Sequence, residues 1–328
     1  MNIAIVSQIG FDIGLGHLSR MLALASATQE NPNCNLQLII QGEPISKKEL
    51  AQFQHQYISA DNFFNQKLIA LISSQRIQLI VFDICSLKIT ESFYLLLKEL
   101  RDLSVKIVGI DGILYSQFCD WIHIPAFFVD PKKISTCPCS VSYGWDSYLL
   151  STPENHASWK PGHKILILTG GADVTQLSQS WPRIIDMVLP RHCEIHWVQG
   201  PYSKPPALPD ILNLSWIIYK APENLTQIMT KINYTITTFG VSLFEALQQG
   251  IPTIVFSPYG DRDKIELTML QKENICVISK NEIDAIEALP ELMQNTLQAE
   301  QFSERSKRKL NVSGAKLLAQ CIFSMETA

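Results

Sequence analysis

The chain has 328 residues, 46% of them hydrophobic and 18% charged, with a formal net charge of -4. That composition excludes a disordered, collagenous or coiled-coil protein, and so small a charge excludes the basic footprint of a nucleic-acid binder. The length exceeds what one core usually holds, so two domains are expected.

The chain opens directly on "NIAIV", a buried-strand pattern. It lacks the basic stretch and long apolar core of a secretory signal. No apolar run approaches the ~18 residues of a membrane span. Eight cysteines are scattered, and the one close pair, "CPC" at 137–139, lacks the two-residue spacer of a zinc or redox motif. Reduced thiols, no bound metal and a cytoplasmic location are expected. The basic string "ERSKRKL" at 304–310 reads as a solvated helix face.

Short apolar runs alternate with amphipathic stretches. Strands are expected at 3–6, 36–40, 79–82, 105–110 and 121–124, with helices at 17–29, 47–55, 62–75 and 90–103. The alternation restarts with strands at 164–169, 194–198, 215–219, 235–238 and 253–256. Helices fit between them at 175–189, 222–231, 242–249, 263–272 and 282–295. Continuous apolar strands separated by helices imply parallel sheets covered on both faces. The polar, proline-containing string "STPENHASWKPGH" reads as a linker. The expected fold is therefore α/β, two doubly wound parallel-sheet domains facing across a cleft. The N-terminal domain is 1–150, the linker 151–163 and the C-terminal domain 164–297, with a closing helix in 298–328 that returns to the first domain. Ligands of such sheets bind beyond the carboxyl ends of the strands.

Three strings at strand ends carry chemistry. The first, "SQIGFDIGLGH", is not G-x-G-x-x-G, so a dinucleotide oxidoreductase is disfavoured. Gly14 and Gly16 permit a tight turn, and His17 falls in the first turn of the following helix. The positive helix end disfavours imidazolium, so a neutral general base is expected there, against the plainer reading that His17 caps the turn. In the second, "LTGGADVTQ", Gly170 and Gly171 open a turn, Asp173 or Thr175 caps a helix, and the backbone forms an anion-ready helix start. The third is "TTFGVSLFEALQQGIPTIVFSPYGDRDKIE". Gly240 turns the chain, and Ser242 with Glu245 has capping-box spacing. The same helix start suits a diphosphate, with Glu245 one turn on to accept ribose hydroxyls.

Together these strings resemble the GT-B nucleotide-sugar superfamily. The nearer likeness is to the UDP-sugar hydrolase of pseudaminic acid biosynthesis, the more distant to the lipid II-forming N-acetylglucosaminyltransferase. "GLGHLSRMLALA", "LIVFDICSLK", "VKIVGIDG", "YGWDSYLL", "ILILTGGAD" and "FGVSLFEALQQGIPTIV" carry it in order. The resemblance implies His17 as general base, and Gly14 and Gly16 near sugar and diphosphate. It implies Gly170 and Gly171 as the second glycine turn, Gly240 and Ser242 on the diphosphate, and Glu245 on the ribose. Asp12, Arg20, Asp83, Asp261 and Asp263 are candidate sugar-side residues, and the base is sought around Ile217 to Ala221 and Leu225. The likeness departs where the hydrolase has Asp-His-Tyr, here Asp83-Ile84-Cys85, and where its Asp-Asn-Gln string becomes "GDRDKIE".

The implied activity is cleavage of the anomeric C–O bond of a UDP-sugar without an obligatory cofactor. A glycosyltransferase of cell-surface glycan synthesis, with a glycan or lipid-linked acceptor, leads. A UDP-sugar hydrolase follows, then a non-catalytic nucleotide-sugar binding protein.

Overall fold

A computed structural model describes residues 1–59, 64–151 and 158–325. Residues 152–157 of the expected linker lie outside the described residues. The chain divides into two compact units, Met1–Ser151 with Val312–Ala328, and Thr152–Asn311.

Unit 1 begins with β1 (Asn2–Gln8), α1 (Gly16–Gln29), β2 (Asn35–Gln41) and β3 (His55–Ile58). It continues through α2 (Phe64–Ser74), β4 (Leu79–Asp83), α3 (Glu91–Asp102) and β5 (Lys106–Ile110). β6 (Trp121–His123), α4 (Pro131–Ile134) and β7 (Ser140–Ser142) complete the run. Its sheet has seven parallel strands in the order β3-β2-β1-β4-β5-β6-β7. The central strands are mostly apolar because both faces are covered. Ile3 and Ile5 join the core beneath α1, and Ala4 and Val6 join the core on the other face.

Unit 2 contains β8 (Lys164–Leu168), α5 (Leu177–Val188), β9 (Glu194–Gln199), β10 (Ser215–Lys220) and α6 (Leu225–Met229). Next come β11 (Tyr234–Thr238), α7 (Val241–Gln248), β12 (Thr253–Phe256), α8 (Lys264–Glu273) and β13 (Val277–Ile278). Two helices, α9 (Glu282–Gln294) and α10 (Thr296–Lys309), finish it. The sheet has six parallel strands in the order β10-β9-β8-β11-β12-β13.

Three expectations change. The stretch 47–55 is a short 3-10 turn over Lys48–Gln52 followed by β3, because the outer edge of β2 needs a partner and pairing outweighs local apolar spacing. The short strands β7 and β13 carry too few apolar residues to stand out. The closing helix is two helices. α10 ends at Lys309, and Ser313 restarts the chain as the N-cap of α11 (Gly314–Ser324), accepting the Lys316 N–H. α11 packs in unit 1 against the core under α1, burying Leu318 and Ile322, while Lys316 pairs with Glu30 at 2.7 Å.

Both strand orders reverse direction at one place. In unit 1 the crossovers depart to opposite sides between β1 and β4, in unit 2 between β8 and β11. Such switch points leave a crevice at the carboxyl ends of the strands.

Candidate functional site

In unit 1 the loop after β1 is folded on itself. The Gly14 N–H donates to the Gly10 carbonyl at 2.7 Å, and Gly14 holds φ +73°, a left-handed conformation glycine adopts without strain. This turn delivers Gly16 and His17 as the first two residues of α1, so His17 stands at the β1/β4 switch point. Asp83, the last residue of β4, is fully buried on the facing strand. The two side chains meet at 2.6 Å between Nδ1 and Oδ1. Arg20, one turn further along α1, donates Nε to Asp83 Oδ2 at 3.1 Å and Nη2 to Oδ1 at 2.7 Å. Its Nη1 reaches Asp111 at 3.0 Å. Asp111 follows β5 and carries φ +53°, a conformation uncommon for a residue with a side chain.

The electrostatics overturn the expected neutral histidine. Burial opposes charge on the ring. The Asp83 charge, its hydrogen bond and a further hydrogen bond with Cys85 outweigh it, raising the His17 pKa to about 9. The helix dipole is a smaller effect than a carboxylate in contact. Burial likewise raises Asp83, but Arg20 and His17 win and hold it below the usual range.

Both Asp83 oxygens are engaged by His17 and Arg20, and the pair fixes the His17 ring. Asp12 is exposed and lies outside this network. Two further participants are Asp111 and Gln8. Gln8 accepts the Cys85 N–H at 2.8 Å and donates to Gln41 at 2.6 Å, tying the ends of β1, β2 and β4 together.

In unit 2, Gly170 follows β8 with φ +86°, and a Cβ placed there would lie 4.0 Å from Thr238 Oγ1 at the end of β11. The glycine turn and the β11 loop are thus neighbours. Gly200 touches the same turn so closely that a Cβ would sit 2.3 Å from the Gly171 carbonyl. The two helices starting at this crevice differ. The Asp173 carboxylate accepts the N–H groups of Leu177 and Ser178, both at 2.9 Å, so the start of α5 already holds an anion. Asp173 is thus the expected cap, and it takes up the helix start that was read as open to an anion. α7 starts from Gly240 with no side-chain cap and no acidic residue in its first turn. Ser242 is its second residue rather than its N-cap, so the capping box does not form, and Ser242 and Glu245 are both half-buried. The hydroxyl of Thr169 is buried at the end of β8 without a hydrogen-bond partner among the described residues, as is that of Ser7 at the end of β1.

The other sugar-side candidates lie beyond β12. Asp263 accepts the Ser257 hydroxyl at 2.5 Å, and Asp261 is exposed, 3.3 Å from Lys264. Among the described residues no group of His, Cys, Asp or Glu is arranged to hold a metal ion, and no helix is long and apolar enough to cross a membrane.

No protein-family profile matches the chain. An uncharacterized protein of Methanocaldococcus jannaschii is 24% identical over 284 residues, covering 78% of this chain and 55% of that protein. The chain thus spans about half the length of this curated relative. Among solved structures, spinosyn rhamnosyltransferase SpnG with thymidine diphosphate has a TM-score of 0.64 at 13% identity, covering 98% of this chain and 100% of its own. MurG of Acinetobacter baumannii has a TM-score of 0.64 at 13% identity, covering 98% and 99%. MnaA of S. aureus with UDP has 0.63 at 13% identity, covering 96% and 93%. With two doubly wound parallel sheets and likeness along nearly its whole length to GT-B glycosyltransferases, this chain has the GT-B fold.

Proposed function

We propose that this chain is a glycosyltransferase that uses a UDP-sugar. The observation that carries the reading is the contrast at the β8/β11 crevice, where α5 is closed by its own carboxylate and α7 is open to an outside anion. The first N–H groups of α7 and the Ser242 hydroxyl receive the diphosphate, whose charge the helix end favours. Glu245 accepts ribose hydroxyls, and the Gly170–Gly171 turn lets the ligand approach the backbone. Nucleoside diphosphates in the SpnG and MnaA structures support this choice of ligand.

Unit 1 supplies the base. His17 takes the proton of an acceptor hydroxyl as that oxygen bonds to the anomeric carbon. The C–O bond to the diphosphate breaks, and UDP leaves with the electron pair. Asp83 holds the ring in place and stabilises the imidazolium that forms. His17 keeps 20% of its side chain exposed while Asp83 keeps none, so the base alone is reachable. The acceptor is a glycan or lipid-linked hydroxyl compound, and Asp261 and Asp263 stay as sugar-side positions.

The test is UDP release from a panel of UDP-sugars, with and without acceptor alcohols. Release that depends on acceptor, and is lost in His17→Ala with UDP binding kept, is the expected result. Free sugar released at full rate without acceptor makes the enzyme a hydrolase. Unchanged turnover in His17→Ala removes the base from the reading. Because His17 must be neutral to accept a proton, kcat/KM rises with pH along a limb with an apparent pKa of about 9. A falling limb there contradicts the base role.

A further inference from the structure

The two sheets have four edges, and three of them are short. β3 has four residues, β7 three and β13 two. The fourth edge, β10, has six and pairs only with β9 among the described residues. Its sequence, "SWIIYK", holds no proline and a single charge at its last position. Ile217 and Ile218 are exposed on its two opposite faces. Edges meant to stay single are kept short or carry charges, proline or a bulge, whereas a long apolar edge is a template for another strand.

The surface beside this edge is apolar as well. Asp186 on α5 accepts the Asn213 N–H at 2.9 Å, the Leu214 N–H at 3.1 Å and the Trp216 indole N–H at 3.1 Å. That clasp ties the approach to β10 onto α5. It leaves Ile211 83% and Met187 73% exposed, the two most exposed large apolar side chains among the described residues, with Leu212 exposed between Ile211 and the clasp. Apolar groups gathered in this way mark a contact surface. Hydrogen bonds hold the Asp186 carboxyl below the usual range against its burial, and no lysine or arginine forms an ion pair with it among the described residues.

We propose that β10 joins two copies of this chain, antiparallel across a two-fold axis, into one continuous sheet. The Ala221 N–H donates to the Gln199 carbonyl at 2.8 Å, so the alternation of a parallel ladder gives residues 217, 219 and 221 to β9 and turns the backbone groups of Trp216, Ile218 and Lys220 outward. A two-fold axis through the sheet sets residues of one face opposite each other. Centring it on Ile218 is the register in which all three outward residues find partners. Ile218 then meets Ile218 of the partner subunit, Trp216 meets Lys220 of the partner subunit, and Ile217 lies against Tyr219 of the partner subunit. Every pair is apolar or sets a cation on an aromatic ring, and no like charges meet. Lys220 of the partner subunit also arrives beside the indole that Asp186 holds, which brings a cation towards a carboxylate that has none. Parallel pairing of two copies would set lysine beside lysine instead. A stable dimer needs about 800 Å² from each partner, more than one strand edge offers, and the patch of Met187, Ile211 and Leu212 widens the surface.

The experiment is sedimentation velocity with light scattering on the full chain, reduced and without UDP, from about 1 to 100 µM. The absence of nucleotide keeps the readout apart from the base position sought at the carboxyl end of β10, and the proposal does not rest on the functional reading. Wild type is compared with Ile218→Lys and Ile211→Glu, with circular dichroism confirming the fold of each. The expected result is a wild-type dimer with a dissociation constant of about 10 µM or below, weakened about 10-fold or more in Ile218→Lys and about threefold or more in Ile211→Glu. Ile211 is so exposed that its variant decides alone should Ile218→Lys not fold. Mild oxidation of Ile218→Cys and of Ser215→Cys then reads the register, with peptide mass spectrometry locating any intermolecular disulfide. The Ile218→Cys pair lies about 5.5 Å apart between Cα atoms and links, whereas Ser215→Cys does not. A monomer across the whole range overturns the proposal, as does a dimer unchanged in the variants, or one that links through position 215 and not through 218.

Discussion

At the scale of residues the account turns on one buried carboxylate. Asp83 has its two oxygens divided between His17 and Arg20, so replacing it by Asn breaks an ion pair without changing shape. Asp83→Asn is expected to lower kcat by about 10²- to 10⁴-fold. It also moves the rising limb of kcat/KM from about 9 to below 6.5, because burial and Arg20 both oppose charge on His17 once Asp83 is gone. Initial rates across pH check both. The same pairing affects stability. His17 has a raised folded pKa, so its contribution is complete below 6.5 and is lost as pH rises through about 9. The loss is about 3 kcal/mol across that window, read by denaturant unfolding of wild type against a flatter Asp83→Asn profile. His17 was legible in the sequence because a glycine turn after a strand delivers it to a ligand crevice. The task of Asp83 was not, since the partners are 66 residues apart and meet only because β4 lies beside β1.

At the scale of elements, two helix starts with similar sequence signals end up capped differently. The string after β8 offered both an anion-ready start and Asp173 as a cap, and in the structure Asp173 takes the free N–H groups itself. The string after β11 has capping-box spacing and also suits a diphosphate, and the chain enters the helix two residues earlier, from Gly240, which leaves Ser242 inside it. Where each helix starts does not follow from residue spacing. Each depends on where the chain first takes helical dihedrals, which the preceding glycine turn decides. Asp173→Ala removes a buried cap and is expected to cost about 1–2 kcal/mol in unit 2, with UDP affinity kept within about twofold. Thermal melting and calorimetry read the two effects separately. A large change in UDP affinity would instead place the diphosphate at α5. The strand pattern itself was readable because both faces of each central strand are buried and their residues are mostly apolar. The edge strands β3, β7 and β13 were not, being held by pairing more than by their side chains.

At the scale of the molecule, each unit has its own core and its own switch-point site. Unit 1 takes its last helix from the far end of the sequence, so a change at residue 322 belongs energetically with residues 3–40. Ile322 is fully buried in the core beneath α1. Ile322→Ala is expected to cost about 2–5 kcal/mol in the unfolding of unit 1 while leaving UDP binding unchanged. Calorimetric unfolding with and without UDP tests that separation. The measurement that bears most directly on the account is titration calorimetry of UDP into wild type, Glu245→Ala and His17→Gln. The account predicts binding by wild type, about 10-fold or greater weakening in Glu245→Ala and unchanged affinity in His17→Gln, since the two residues serve different halves of the reaction. Absence of UDP binding by wild type, or equal affinity in Glu245→Ala, would contradict it.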